Sequence, residues 1–149
     1  MLTEPEAKAV AKAYGIPVPE TIVARTVEDV GQAATRLLAD SPKIAVKLLS
    51  KAVSHKSDVG GVVLNIETTA AACEAARAIA RRFHEHVADA SIDGFSVQPM
   101  IERKTAQELI LGVSHDAIFG PIVLFGAGGV AVEVMNDTVI ALPPLDSVL

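Results

Sequence analysis

The sequence predicts an α+β fold in two lobes, and three observations predict it. Up to about residue 93, short strand-like runs alternate with segments of helical period. From Gly94 onward nearly every apolar run reads as a strand, and such a change of texture marks a second lobe. Half of the 149 residues are hydrophobic, yet aromatics make up only 3% and Trp is absent. The core is therefore expected to be Ala, Val, Ile and Leu, a set that suits helices packed on sheets. This division predicts an N-terminal helix over 1–15, a first lobe over 16–93 and a second over 94–149. A cleft between two lobes is a favoured ligand position.

The elements follow in order. Thr3 and Glu6 form a capping box, Pro5 fits a first helical turn, and Ala7, Val10, Ala11 and Tyr14 recur at helical spacing before Gly15 ends the helix. Ile16-Pro17-Val18-Pro19 is expected to be extended, because residues before proline avoid the helical region. Residues 21–25 read as a strand. Thr26 with Asp29 opens a second helix to about residue 40, and Ser41-Pro42 turns the chain into a strand over 43–49. A polar loop carrying Gly60 and Gly61 leads to another strand over 62–66. Residues 67–69 start a long Ala-rich helix to about Val87, whose basic end opposes the helix dipole. His84 and His86, two apart, point to different sides of that helix and make a poor metal pair.

In the second lobe, 95–101 reads as a strand interrupted by Pro99, hence an edge or a hinge. Strands are expected over 107–114, 121–125, 130–134 and 138–142. Asp116 caps the turn before Phe119-Gly120-Pro121. Gly126-Ala127-Gly128-Gly129 looks like a dinucleotide fingerprint, but the segment after it alternates like a strand, so it is read as a turn.

Composition removes several functional classes. A net charge of -5 and a pI near 5.3 disfavour a broad basic face for nucleic acid. The single Cys73 excludes an intrachain disulfide and reads as a small packing residue. The first residues lack a signal-peptide pattern, and no apolar run approaches membrane-spanning length, so a cytoplasmic protein is expected.

The chemistry is expected around Lys47 and the loop Ser54-His55-Lys56-Ser57-Asp58-Val59-Gly60-Gly61-Val62. A charge inside an apolar strand is costly without a partner, and a polyphosphate is one such partner. Paired glycines let backbone N–H groups approach an anion, and His55 is placed to handle a phosphoryl group. The same residues also fit a plain hairpin beside a lysine that faces water. The segment Gln98-Pro99-Met100-Ile101 could offer backbone groups to an adenine edge or be a mere edge strand. Glu108 could accept from ribose hydroxyls or face solvent. Glu133 and Asp137 are weak candidates for a divalent ion, which hard oxygen ligands would suit.

Taken together, Lys47-Leu48-Leu49, the 54–62 loop, Val97-Gln98-Pro99-Met100, Glu108-Leu109-Ile110-Leu111-Gly112, Phe119-Gly120-Pro121 and Val132-Glu133-Val134 resemble the ATP-grasp part of ADP-forming (NDP-forming) acetyl-CoA or acyl-CoA synthetases. That part is related to the succinyl-CoA synthetase beta chain. Leu2-Thr3-Glu4-Pro5-Glu6-Ala7, Tyr14-Gly15-Ile16-Pro17 and Ala141-Leu142-Pro143-Pro144-Leu145 carry the likeness across the whole chain, the last in a form typical of single-chain bacterial members. The resemblance implies an ATP-grasp fold with the nucleotide cleft between two α+β subdomains. It implies an acid–thiol ligase: acid, CoA and ATP give acyl-CoA, ADP and phosphate through a phosphohistidine. By position, Lys47 matches a phosphate-binding lysine and Gly60 and Gly61 a phosphate-covering loop. Gln98, Pro99, Met100 and Ile101 match the adenine hinge, Glu108 the ribose acid and His55 a phosphoryl-relay histidine. The cofactors implied are ATP/ADP and Mg2+; the partners are CoA-binding and CoA-ligase domains. The family's Glu-x-Asn-Pro magnesium segment is not reached by Leu149, so a C-terminally truncated domain, inactive alone, is expected. Some members are fused to a protein acetyltransferase, which leaves a non-catalytic regulatory module as the alternative.

Overall fold

The structure is a computed structural model and describes residues 2–50, 59–87, 91–103, 105–128 and 138–145. It divides into two compact units that meet between Glu102 and Arg103.

The first unit contains helix α1 (Glu4–Ala13), strand β1 (Ile22–Ala24), helix α2 (Val27–Leu38), strands β2 (Ile44–Leu49) and β3 (Val62–Ile66), helix α3 (Thr69–His86) and strand β4 (Gly94–Pro99). The strands form one sheet in the order β1-β4-β2-β3, with every neighbouring pair antiparallel. Strands β1 and β2, joined through α2, therefore run parallel and flank β4. Strands β3 and β4, joined through α3, run parallel and flank β2. Two split strand–helix–strand units thus interleave, linked by the β2–β3 connection.

Local chemistry explains the helices. At α2, Thr26 Oγ1 accepts from Asp29 N–H at 3.1 Å and Asp29 accepts in return from Thr26 N–H at 3.0 Å. These hydrogen bonds, from the Thr26 hydroxyl foremost and then from the Thr26 and Arg25 backbone, hold the Asp29 carboxyl below its ordinary pKa. At α1, Thr3 N–H donates to Glu6 at 2.7 Å. Helix α3 buries Ala72, Ala75, Ala76, Ile79 and Phe83 along one stripe, and α2 buries Val30, Ala33, Ala34 and Leu37. Both stripes cover one face of the sheet, where they meet Ala24, Ile44, Val46, Leu48, Ile66, Phe95 and Val97. The core is aliphatic apart from Phe83 and Phe95, as the composition predicts. Cys73 is half-buried there, its thiol 3.7 Å from the Val27 carbonyl.

Side chains alternate along a strand, so Lys47, Ser96 and Gln98 lie on the opposite face. That face is met by α1. The helical period predicts α1 correctly, but the apolar residues do not make its buried side. Val10 is 50% exposed and Tyr14 84%, while Glu4 and Lys8 reach the sheet.

Two further expectations change. The join expected at 93/94 differs from the structure's division, because β4 is hydrogen-bonded into the first sheet on both sides. For the same reason 95–101 is no edge strand. Pro99 is tolerated because it is the last residue of β4, and pairing resumes when Met100 N–H donates to the Lys43 carbonyl at 2.9 Å.

The second unit is an antiparallel sheet of strands β5 (Leu109–Asp116), β6 (Gly120–Ala127) and β7 (Thr138–Ala141), in that order. Asp116 closes the β5–β6 turn by accepting from Ile118 N–H at 2.8 Å and Phe119 N–H at 3.0 Å. The backbone donors of Phe119 and Ile118 hold its carboxyl below the ordinary range. The strand expected over 130–134 lies outside the described residues.

Candidate functional site

Lys47 stands fourth in β2, opposite Val62 of β3 and Ser96 of β4. Its side chain is 21% exposed and its Nζ lies 2.9 Å from Glu4 Oε1 of α1. The charge that the sequence marks as needing a partner therefore has a carboxylate. Glu4 Oε1 also lies 2.9 Å from Lys8 Nζ. Lys8 in turn donates to Thr21 Oγ1 at 3.0 Å and to Gln98 Oε1. Burial pushes the Glu4 carboxyl up, but the hydrogen bonds and charges of Lys47 and Lys8 outweigh it and hold the group below its ordinary value. Glu4 and Lys8 were not singled out from the sequence. The acid falls in a helical first turn, where a carboxylate already has a local explanation, and only the fold brings it to a lysine 43 positions away.

The glycine pair flanks this strand. Gly61 accepts through its carbonyl from Leu48 N–H at 2.7 Å. Gly60 has a φ of +61°, a conformation that favours glycine, and a Cβ there would lie 2.8 Å from Cδ of the exposed Arg82 side chain, which would have to shift. Arg82 Nη1 donates to the Gly60 carbonyl at 3.4 Å. Gly60 thus abuts α3, whereas Lys47 projects from the other face of the sheet. His55 lies outside the described residues.

Of the expected hinge, Gln98 shares the Lys47 face, while Met100 borders an open hollow of about 270 Å3 with Pro42, Lys43 and Glu102. Ile101 is 59% exposed. The Lys43 ammonium lies 3.8 Å from both Glu67 and Glu102. Lys47, Gly61 and Gln98 are therefore brought together within the first unit.

Glu108 belongs to the second unit. It lines an open groove of about 610 Å3 with Leu109, Phe125 and Thr138. Gly128 N–H donates to the Glu108 carbonyl at 2.7 Å. A Cβ at Gly128 would stand 2.8 Å from the Glu108 carbonyl carbon, so the turn needs glycine to approach this segment. That requirement makes Gly128 a support for Glu108. Glu133 and Asp137 lie outside the described residues. Among the described residues no group of three or more His, Cys, Asp or Glu side chains could hold a metal ion, and no helix is long and apolar enough to cross a membrane.

This arrangement can be compared with known proteins. A family model described as an ATP-grasp domain matches residues 1–149. The chain belongs to the ATP-grasp domain family. This ATP-grasp chain is 38% identical over 144 residues to the beta subunit of acetate–CoA ligase [ADP-forming] I from Pyrococcus furiosus, a match that takes in 97% of the chain and 60% of that subunit. Its structure is similar, with a TM-score of 0.84 and 36% identity, to acetyl-coenzyme A synthetase 1 of Ca. Korarchaeum cryptofilum in complex with coenzyme A, Ca-AMPCP and HgCl+. That match covers 97% of the chain and 61% of the synthetase chain. A second structure of that synthetase, with coenzyme A and Mg-AMPPCP and its phosphohistidine segment pointing towards the nucleotide binding site, matches with a TM-score of 0.63 and 33% identity over 97% of the chain and 58% of its own. The ATP-grasp chain thus spans about three fifths of these relatives, 60% of the P. furiosus subunit.

Proposed function

We propose that this ATP-grasp chain supplies the main part of the nucleotide pocket of an ADP-forming acyl-CoA synthetase. The polypeptide or assembly containing it converts acid, CoA and ATP to acyl-CoA, ADP and phosphate. The observation that carries the reading is Lys47, a largely shielded cation on an interior strand, opposite Val62 next to Gly61 and on the same sheet face as Gln98. A cation held there has the charge and the surroundings to grip phosphate oxygens, because shielding from water strengthens its field. The likeness to synthetases bound to nucleotide analogues supports the same assignment.

In this reading Lys47 neutralises phosphate charge and the loop ending at Gly60 and Gly61 covers the phosphates. The segment 98–101 receives the adenine and Glu108 accepts from the ribose. His55 takes and returns the phosphoryl group: its imidazole nitrogen attacks the γ-phosphorus, the bond to the β-phosphate oxygen breaks, and ADP leaves. Charge neutralisation and alignment supply most of the rate in such transfers. Magnesium would be held by hard oxygen ligands, and among the described residues nothing is assigned to it. CoA-binding and CoA-ligase domains complete the reaction.

Nucleotide titration tests the assignment. Lys47→Ala is expected to weaken ATP binding by about 10- to 100-fold, the cost of losing a hydrogen bond to a charged group, about 1.5–3 kcal/mol. Unchanged affinity would take Lys47 out of the site. His55→Ala is expected to abolish acyl-CoA synthesis by the full enzyme while ATP still binds; retained turnover would leave His55 a structural role. The chain by itself is expected to make no acyl-CoA.

A further inference from the structure

Helix α1 occupies two residues of the proposed site. Glu4 Oε1 is within 2.9 Å of the Lys47 and Lys8 ammonium groups, and Lys8 continues to Gln98. The Glu4, Lys8 and Lys47 side chains are 27%, 19% and 21% exposed, so their charges act across a medium much less screening than water. Ser96, opposite Lys47 in the β2–β4 register, is fully buried, and its hydroxyl has no hydrogen-bond partner among the described residues.

We propose that Glu4 is an internal stand-in for a phosphate group, and that α1 holds the site closed until a polyanion displaces its carboxylate. The inference rests on the reading of Lys47 as a phosphate ligand. A carboxylate oxygen and a phosphate oxygen compete for the same ammonium protons. A phosphate arriving at Lys47 also meets the negative charge of Glu4 at close range, so binding requires that charge to withdraw. Its withdrawal also removes the carboxylate from Lys8, which Thr21 and Gln98 still hold, so the net charge of the Lys8–Lys47 pair is no longer offset. A ligand with several negative charges recovers that difference, whereas a monoanion does not. The device therefore keeps Lys47 neutralised when no nucleotide is present and favours a di- or triphosphate over inorganic phosphate.

The test is calorimetric titration of ATP with magnesium into the polypeptide carrying this chain, as wild type, Glu4→Gln, Lys8→Met, Lys47→Ala and the Glu4→Gln/Lys47→Ala double variant, with thermal unfolding of each. Glu4→Gln is expected to tighten ATP binding by about threefold to tenfold, the effect of removing one like charge near the phosphates, while lowering the unfolding midpoint through loss of the ion pair. A variant with a merely structural lesion would lose both. Lys8→Met leaves Glu4 to Lys47 alone and is expected to weaken binding. The gain from Glu4→Gln is expected to vanish when Lys47 is Ala, and inorganic phosphate is expected to compete measurably only in Glu4→Gln. If binding depends on Lys47 but Glu4→Gln leaves it unchanged or weaker, the stand-in role is overturned and the site assignment survives. If Lys47→Ala changes nothing, the site assignment itself falls. Absence of binding in every form overturns both.

Discussion

Lys47 shows how far a single residue can be read. A lone cation among Ile44, Ala45, Val46, Leu48 and Leu49 has to find a counter-charge, because an unpaired charge in such surroundings costs several kcal/mol or more, by estimates of order of magnitude. That need was legible; the identity of the partner was not, since Glu4 approaches through the tertiary fold. The Glu4 carboxyl carries a pH prediction. Its folded-state pKa lies below its ordinary value of 4.5, so folding favours the ionised form. The stability it contributes is fully present above that ordinary value and is lost as pH falls through the lowered one. Wild type is therefore expected to exceed Glu4→Gln in stability at neutral pH, with the difference shrinking below about pH 4.5, as urea unfolding at a series of pH values would show. At Gly128, replacement by Ala forces a Cβ to within 2.8 Å of the Glu108 backbone. Gly128→Ala is expected to shift the Glu108 segment, to cost about 1–3 kcal/mol of stability, the range of overpacking, and to weaken nucleotide binding; unchanged affinity in a titration would take Glu108 out of the site.

At the scale of elements, capping and period are short-range signals and they located α1, α2 and α3 well. Thr26 and Asp29 start α2 as expected, and the Ala-rich run 69–86 is one helix. Phe83 is fully buried at the end of the α3 stripe. Phe83→Ala is expected to cost about 3–5 kcal/mol of stability, the range for large core truncations, measured by denaturant unfolding. Period alone misjudged which side of α1 is covered. Val10 and Tyr14 mark an apolar stripe, yet Glu4 and Lys8 face the sheet, because Lys47 and Gln98 make that sheet face polar. Pro99 ends β4, as a proline in a strand-like run signals, but whether that strand lies on an edge depends on the strands that flank it.

At the scale of the whole molecule the two units differ in kind. The first has a continuous core between its sheet and two helices. Among the described residues the second is a three-stranded sheet on which Leu109, Leu111 and Val113 are 61%, 65% and 78% exposed. A sheet of this size gains most of its stability from what covers a face. Backbone amides of β2, β4 and α3 are therefore expected to exchange with solvent more slowly than those of β5, β6 and β7 in native-state hydrogen exchange. Equal protection would show that the second sheet is as well supported as the first. By itself the sequence determined the helices, the hairpin glycines, the aliphatic core, the cation that needs an anion, and the family likeness, because each is written in residue type, spacing or motif order. Only the tertiary structure decided the interleaved order β1-β4-β2-β3, the charged seat of α1 and the meeting of Glu4 with Lys47. These depend on contacts between residues far apart in the chain, whose energies arise when the sheet assembles and are carried by no local pattern.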